Sequence, residues 1–301
     1  MGTRLCRGKL RTQLGELLIA LLICSSCAVA QEWRVNPTWL HRYVPTLPNA
    51  GDLSSAACHY KPIFGEGDAL SNPLPSVVRF GEETLDRRGA CASTQYERQE
   101  EIYFVLKGSG VLQYGGRTYP IHKNDFTYIP PAVKHSVTNN SDGQLDVLIM
   151  SFKIKPSIAI GQPSPELKIV NLDNVKEEPV EGHPSSVLYK LLAGPKSSKR
   201  DAIDDAYVVT SLFWMDFAPG GTNFPHHHET AEEIYLILDG EGTMVAGGGM
   251  DGIEGRHPAK AGDAYYFRQN CTVGFYNQNK PGAKAHILAV RSWVPLPKEE
   301  D

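Results

Sequence analysis

The 301-residue chain has no long basic run, and its formal net charge is −4. Neither nucleic acid nor an anionic membrane surface is an expected partner. Long apolar stretches are also missing. The longest, Leu17 to Ile23 (LLIALLI), is too short to span a bilayer as a permanent helix. Cysteine is sparse, at six residues. No segment beyond residue 30 carries a long helical period, and the one helical candidate is Ser185 to Leu192. What remains is a chain with 41% hydrophobic residues, normal for a globular protein and long enough for two domains.

The first thirty residues differ from the rest. Arg4, Arg7, Lys9 and Arg11 precede the apolar run, and Ala28-Val29-Ala30 supplies small residues after it. This order is that of a secretory signal peptide cut before Gln31, so a secreted or periplasmic location is expected, with no membrane association after cleavage. An uncleaved anchor is the alternative; Cys24 and Cys27 fit a lipidation signal poorly. Cleavage removes four bases and one acid, leaving −7 and three cysteines, Cys58, Cys91 and Cys271. An oxidising compartment permits Cys58 to pair with Cys91; two free buried thiols are the other reading.

The chain repeats itself. Residues 100–108 read EEIYFVLKG and residues 232–240 read EEIYLILDG, each followed by a second glycine, Gly110 and Gly242. Each copy then reaches a phrase of one type, residues 122–139 and 259–277, the second after a glycine-rich insertion. Ile102–Leu106, Phe126–Ile129, Val147–Phe152, Ile234–Leu238 and Ala285–Val290 are short β-branched or aromatic runs bounded by Gly, Asn, Asp or Pro, and are expected as strands. Many short strands at even spacing indicate a barrel or jelly roll. From Ile234 to Leu238 both alternating faces are apolar, which predicts a strand covered on both sides. The expected organisation is a signal peptide (1–30), an irregular N-terminal arm (31–75), a first barrel (76–155), a linker (156–202), a second barrel (203–296) and a tail (297–301).

In the second copy, His226 and His228 are two residues apart and would share one face of a strand, with His227 pointing away. After a short turn Glu233 opens the next strand and can return to that face. Two imidazoles and a carboxylate suit a divalent transition metal, as in the facial triad of non-haem iron oxygenases.

These residues resemble the cupin superfamily, whose first motif runs Gly, five residues, His-x-His, three or four residues, Glu, six residues, Gly. Gly220, His226, His228, Glu233 and Gly240 match it throughout. The second motif runs Gly, five residues, Pro-x-Gly, two residues, His, three residues, Asn. Gly262 and Asn277 match, but Arg268, Asn270 and Val273 replace the proline, the second glycine and the histidine that is the usual fourth ligand. The first copy is the converse. Glu101, Gly108, Pro130, His135 and Asn139 match, while Thr94 and Tyr96 replace the two early histidines, and Asn124 and Ala132 stand at glycine positions.

The resemblance implies an all-β fold of two tandem cupin (double-stranded β-helix, jelly-roll) barrels, a bicupin. It implies a metal site in the second barrel only, formed by His226, His228 and Glu233 and holding Fe(II) or Mn(II), with Zn and Ni as alternatives. The partner is then a small-molecule substrate, and a homodimer through the barrel sheets is a further expectation. The leading functional expectation is a metal-dependent enzyme of dioxygenase type. Metal-assisted isomerase, lyase or decarboxylase chemistry, or a non-enzymatic sugar-binding bicupin, are the rivals; modest length and the lack of Gln-rich segments disfavour seed storage. Tyr235 and His286 are the candidate catalytic residues. Cys271, two residues before Val273, is expected as a wall residue rather than a ligand, and His135 as structural. The sequons at Asn139 and Asn270 matter only in a eukaryotic secretory host.

Overall fold

The computed structural model describes residues 38–51, 53–71, 73–248 and 254–294. The expected signal peptide and tail lie outside them. Apart from two single 3-10 turns, Val44–Thr46 and Leu172–Asn174, regular structure is all strand. In chain order the strands are β1 (Trp39–Tyr43), β2 (Cys58–Gly65), β3 (Val77–Leu85), β4 (Gln99–Lys107), β5 (Ser109–Tyr114), β6 (Arg117–His122), β7 (Asp125–Ile129), β8 (His135–Thr138), β9 (Leu145–Lys153) and β10 (Ile169–Asn171). They continue with β11 (Glu177–Glu178), β12 (Val187–Pro195), β13 (Ile203–Ala206), β14 (Val209–Phe217), β15 (Ala231–Asp239), β16 (Glu241–Gly247), β17 (Glu254–Lys260), β18 (Asp263–Phe267), β19 (Thr272–Asn277) and β20 (Ala285–Trp293). No helix among the described residues is long and apolar enough to cross a membrane.

Each barrel is a large sheet closed by a small one. The first combines the sheet β10-β7-β4-β9-β3-β2 with the sheet β6-β5-β8. The second combines β1-β18-β15-β20-β14-β12-β11, with β13 beside β12, and the sheet β17-β16-β19. The edge strands are exchanged. β1 precedes the first barrel but pairs with β18 of the second, and β10 precedes the second but pairs with β7 of the first. The 3-10 turn after each repeats the exchange: Val44 N–H donates to Gly262 O, and Leu172 N–H to Asn124 O. The stretch 31–75 is therefore not an irregular arm where it is described, since it contributes β1 and β2. The stretch 156–202 is not a plain linker, since β12 runs along β14 for most of its length.

The helix expected over Ser185–Leu192 is instead the start of β12. Its spacing is two: Val187, Tyr189 and Leu191 enter the core of the second barrel, and Leu192 enters the layer between the barrels. Its other face carries the half-buried Leu188 and Lys190, and Leu188 interrupts the polar alternation that would have marked a strand.

Three apolar clusters account for the doubly apolar strands. Tyr103 and Val105 fill the first barrel, and Tyr235 and Ile237 fill the second. Their neighbours Ile102, Phe104, Ile234 and Leu236 share a third cluster with Phe64, Phe80, Leu212 and Tyr266, between the two large sheets. The paired glutamates obey the same alternation. Glu100 and Glu232 are fully buried on the inter-barrel side. Glu232 accepts hydrogen bonds from the backbone N–H groups of Ser76 (2.8 Å) and Val77 (2.9 Å) and from Tyr266 Oη (2.6 Å). Glu100 accepts from Tyr207, Val208 and Val209 N–H (2.6, 2.8 and 2.7 Å) and from Tyr128 Oη (2.9 Å). Each barrel thus offers one carboxylate to the chain entering the other. Burial raises the Glu100 pKa, and these donors only partly offset it.

A disulfide joins Cys58 and Cys91. The motif asparagines tie loops to strand ends. Asn139 donates to the carbonyls of Leu85, Asp86 and Gly143, and Asn277 to those of Phe217, Ala218 and Ala283. Asn139 is fully buried, so in the folded chain it cannot accept a glycan. The positions where Asn124, Ala132 and Asn270 replace glycine all have positive φ, at 70°, 64° and 62°. The turn geometry is kept without the residue that adopts it most cheaply.

Candidate metal centre

The segment before β15 is not a regular strand. Two isolated bridges, Thr222 to Tyr276 and His226 to Val273, attach it to β19. His226 Nδ1 donates to Phe224 O at 2.8 Å, which leaves Nε2 free for a ligand bond. Phe224 holds this carbonyl in place with φ 54°, a strained value for a bulky residue. His227 is exposed. Glu233, on β15, faces the barrel interior and is 2% exposed, whereas Glu232 faces out.

The donor atoms of His226, His228 and Glu233 all lie within 4.8 Å of one another. His228 Nε2 is 3.2 Å from Glu233 Oε2, yet that oxygen is buried with no donor aligned on it. A buried carboxylate oxygen left in this way is expensive unless a cation completes it. Burial would raise the Glu233 pKa, but the contact with His228 and the charge of Arg291 outweigh it, and the net direction is down. Burial lowers the His226 pKa, so the imidazole is neutral at neutral pH. An ionised carboxylate and neutral imidazoles are the forms that bind metal, and the residues present fit a divalent ion.

Val273 is buried, and with Cys271 it belongs to the apolar cluster that fills this barrel. Cys271 Sγ contacts Gly247 O at 3.3 Å. It is a wall residue, as expected. Tyr235 lines the cavity beside His226 and Glu233, and its hydroxyl accepts from Asn223 Nδ2 at 2.9 Å. Burial, then the charge of Glu233, raise its pKa well above 10. In the metal-free chain this favours a neutral hydroxyl over a base at this position.

His286 is on the wrong face. On β20, Ala285, Ile287 and Ala289 enter the barrel, while Leu288 and Val290 enter the inter-barrel layer. His286 shares the second parity. It lies 3.6 Å from Asp216 and 3.5 Å from Asp239, with its ring 5.1 Å from Trp214. It cannot serve as a base at the metal centre.

The residue that does enter from β20 is Arg291, directly across the ladder from Glu233. Its Nη1 is 3.2 and 3.3 Å from the two ring nitrogens of His228. Arg200, His183, Tyr189 and Ser211, all outside the motif, and Asn223, in its five-residue spacer, add polar groups to the wall. Burial and the neighbouring His226 lower the His183 pKa.

The first barrel answers position by position. Arg79 on β3 and Ser151 on β9 correspond to Ser211 on β14 and Arg291 on β20, each pair facing across its ladder. The arginine has changed strand: Ser151 stands opposite Glu101 in the ladder, and Arg79 reaches the glutamate from the next strand over. In the first barrel it is neutralised: Arg79 Nη2 donates to Glu101 at 2.7 Å, and His135 Nε2 lies 2.7 Å from the other oxygen. His135 also meets Val133 O, Tyr103 Oη and Thr94 Oγ1. Burial lowers its pKa, but the bond and charge of Glu101 outweigh this and raise it. Arginine and histidine thus occupy the place of a cation, although Glu101 Oε2 and Arg79 Nε, like Glu233 Oε2, have no aligned hydrogen bond, and His135 acts as a structural residue within this cluster.

The Cupin domain family model matches residues 83–151 and 213–290. An uncharacterized protein of Methanocaldococcus jannaschii is 34% identical over 108 residues, 36% of this chain and 78% of that protein. Among solved structures, the Ylba protein of E. coli superposes with a TM-score of 0.63 at 13% identity, covering 87% of this chain and 94% of that one. The oxalate decarboxylase of Lactobacillus farciminis gives 0.61 at 11% identity, covering 85% and 86%. Such identities establish the fold alone. With two family-model matches, on a chain that repeats its strands, its motif glutamates and its edge exchange, the protein belongs to the cupin superfamily and is a bicupin.

Proposed function

We propose that the second barrel is the centre of a metal-dependent enzyme acting on a small, anionic, oxygen-bearing molecule. His226, His228 and Glu233 would hold Fe(II) or Mn(II), and the ion when bound supplies a Lewis acid and a template for bidentate oxygen ligands. The observation that carries the anionic class is Arg291. A guanidinium beside a divalent-cation site is repelled by it unless negative charge lies between them. Unlike Arg79, Arg291 has no carboxylate bonded to it among the described residues. Its fork geometry suits a carboxylate, and Arg200 adds a second positive charge on the wall. Tyr235 offers a hydroxyl that keeps its proton.

Size narrows the class further. The cavity is about 40 Å³, far below the roughly 300 Å³ at which drug-sized pockets begin. A two- or three-carbon acid is the size expected to fit within it.

Oxidation of such an acid by O₂ is the first reading. Decarboxylation is the second, supported by the carboxylate-sized site and by the fold shared with oxalate decarboxylases. The Cys58–Cys91 disulfide supports export to an oxidising compartment. The test is a screen of C2 and C3 carboxylic and 2-oxo acids on metal-loaded full-length mature protein, following O₂ uptake and CO₂ release. Turnover lost in His226→Ala is expected. Turnover that persists in that variant, or full ligand affinity in a metal-free protein, would overturn the reading.

A further inference from the structure

We propose that His183, carried by the segment between β11 and β12, supplies the fourth ligand of this metal site, so that the chain joining the two barrels completes the centre. The proposal rests on the metal reading above and adds to it a residue outside the motif.

The usual donor position is closed. Val273 offers no donor atom, is 1% exposed, and is pinned to His226 by two backbone hydrogen bonds. A replacement must come from another wall. His183 lines the same cavity as His226 and Glu233. Its ring centroid is 5.6 Å from that of His226, at 78° between planes, and the His226–His228 pair is 5.0 Å apart at 76°. With metal–nitrogen bonds of about 2.1 Å, two imidazoles on one ion have centroids roughly 4.5 to 6.5 Å apart. Both pairs satisfy this, but His183 stands outside the group whose donor atoms all lie within 4.8 Å of one another, so its ring must swing inward to reach an ion held by the other three.

His183 also has an atom that needs a partner. Its Nδ1 is buried and makes no hydrogen bond, a state that costs about 1–3 kcal/mol when nothing completes it. The segment is held in place rather than loose. His183 N–H donates to Val180 O at 3.1 Å, Val180 packs against the apolar cluster of the barrel, and the His183 ring lies 5.2 Å from Tyr189. The piece of chain that carries this histidine connects β10, on the first barrel, to β12, in the second. The ligand would therefore tie the metal to the link between the barrels, not to one barrel alone.

The test uses the full mature chain and Mn(II) alone, with affinity read from the free-ion EPR signal and the number of bound imidazoles from pulsed EPR. Wild type should show three imidazoles. His183→Ala and His183→Gln, each checked for an unchanged unfolding midpoint, should show two, with Mn(II) affinity about 100-fold weaker, no less than the loss usual when even a supporting partner of a ligand is removed. His226→Ala should lose binding altogether. Wild-type affinity and an unchanged imidazole count in both His183 variants would overturn the proposal and leave the metal centre standing. A wild-type chain that takes up no Mn(II) would overturn both.

Discussion

Two adjacent glutamates should respond to mutation unequally. Glu232 and Glu233 share a strand, a charge and near-complete burial, but one faces the inter-barrel layer and the other the metal site. In Glu232→Ala, three strong donors lose their acceptor: Ser76 N–H, Val77 N–H and Tyr266 Oη. Ser76 Oγ can still bond Ser292 Oγ at 2.7 Å. Each buried orphan costs about 1–3 kcal/mol. Allowing for water entering the gap, the total is about 3–5 kcal/mol, the usual range for breaking a buried charged network. Glu233→Ala in metal-free protein removes a carboxylate that has few donors and a desolvation cost of its own. Its contacts with His228 and Arg291 exceed that cost, so its loss should destabilise by about 1–2 kcal/mol, less than Glu232→Ala. Urea unfolding in EDTA, with the disulfide intact, measures both through the midpoint at unchanged slope. Glu100→Ala should match Glu232→Ala, because its donors are the counterparts from the other barrel. A Glu232→Ala protein as stable as wild type, or a Glu233→Ala protein that proves the less stable of the two, would refute this division of labour.

Further outcomes follow from other parts of the molecule. Arg291→Leu should weaken binding of small carboxylates by about 10- to 100-fold, as a lost charge-assisted pair would, while leaving Mn(II) affinity unreduced; calorimetry on the metal-loaded protein checks both. Burial pushes the Glu83 carboxyl from 4.5 up to about 7, so the folded chain keeps a proton that the unfolded chain releases between those values. Stability should fall as pH rises through that window, by up to about 3 kcal/mol, and Glu83→Gln should flatten the slope in unfolding midpoints taken across it. Ala132 has φ 64°, so Ala132→Gly should raise stability by about 0.5–1 kcal/mol, read as a higher urea midpoint.

The architecture is legible in the sequence because it is stated twice. The repeat of EEIY at residues 100–103 and 232–235 locates the two barrels, and the apolar faces on either side of Ile234 announce a strand buried from both directions. The three metal-site residues are legible because their spacing is local. The rest depends on contacts the spacing does not carry. β1 and β10 escape a sequence reading because each completes the sheet of the other barrel, a pairing with no local pattern. β12 passes for a helix because Leu188, half-buried on its second face, breaks the apolar-polar alternation. His286 is drawn towards the pocket only while the strand run is ended at Val290. Counting by twos from Ala285 reaches Arg291, not His286, and comparison with Arg79 identifies it. His183 has no signal of its own, since its meaning arises from Val273, ninety residues later in the chain.

The central claim is one metal site per chain, in the second barrel only. Its most direct measurement is Mn(II) or Fe(II) bound per chain at saturation, compared among wild type, His226→Ala and His135→Ala. One ion is expected in wild type, none in His226→Ala and one in His135→Ala. No ion in wild type, or one retained in His226→Ala and lost in His135→Ala, would contradict it.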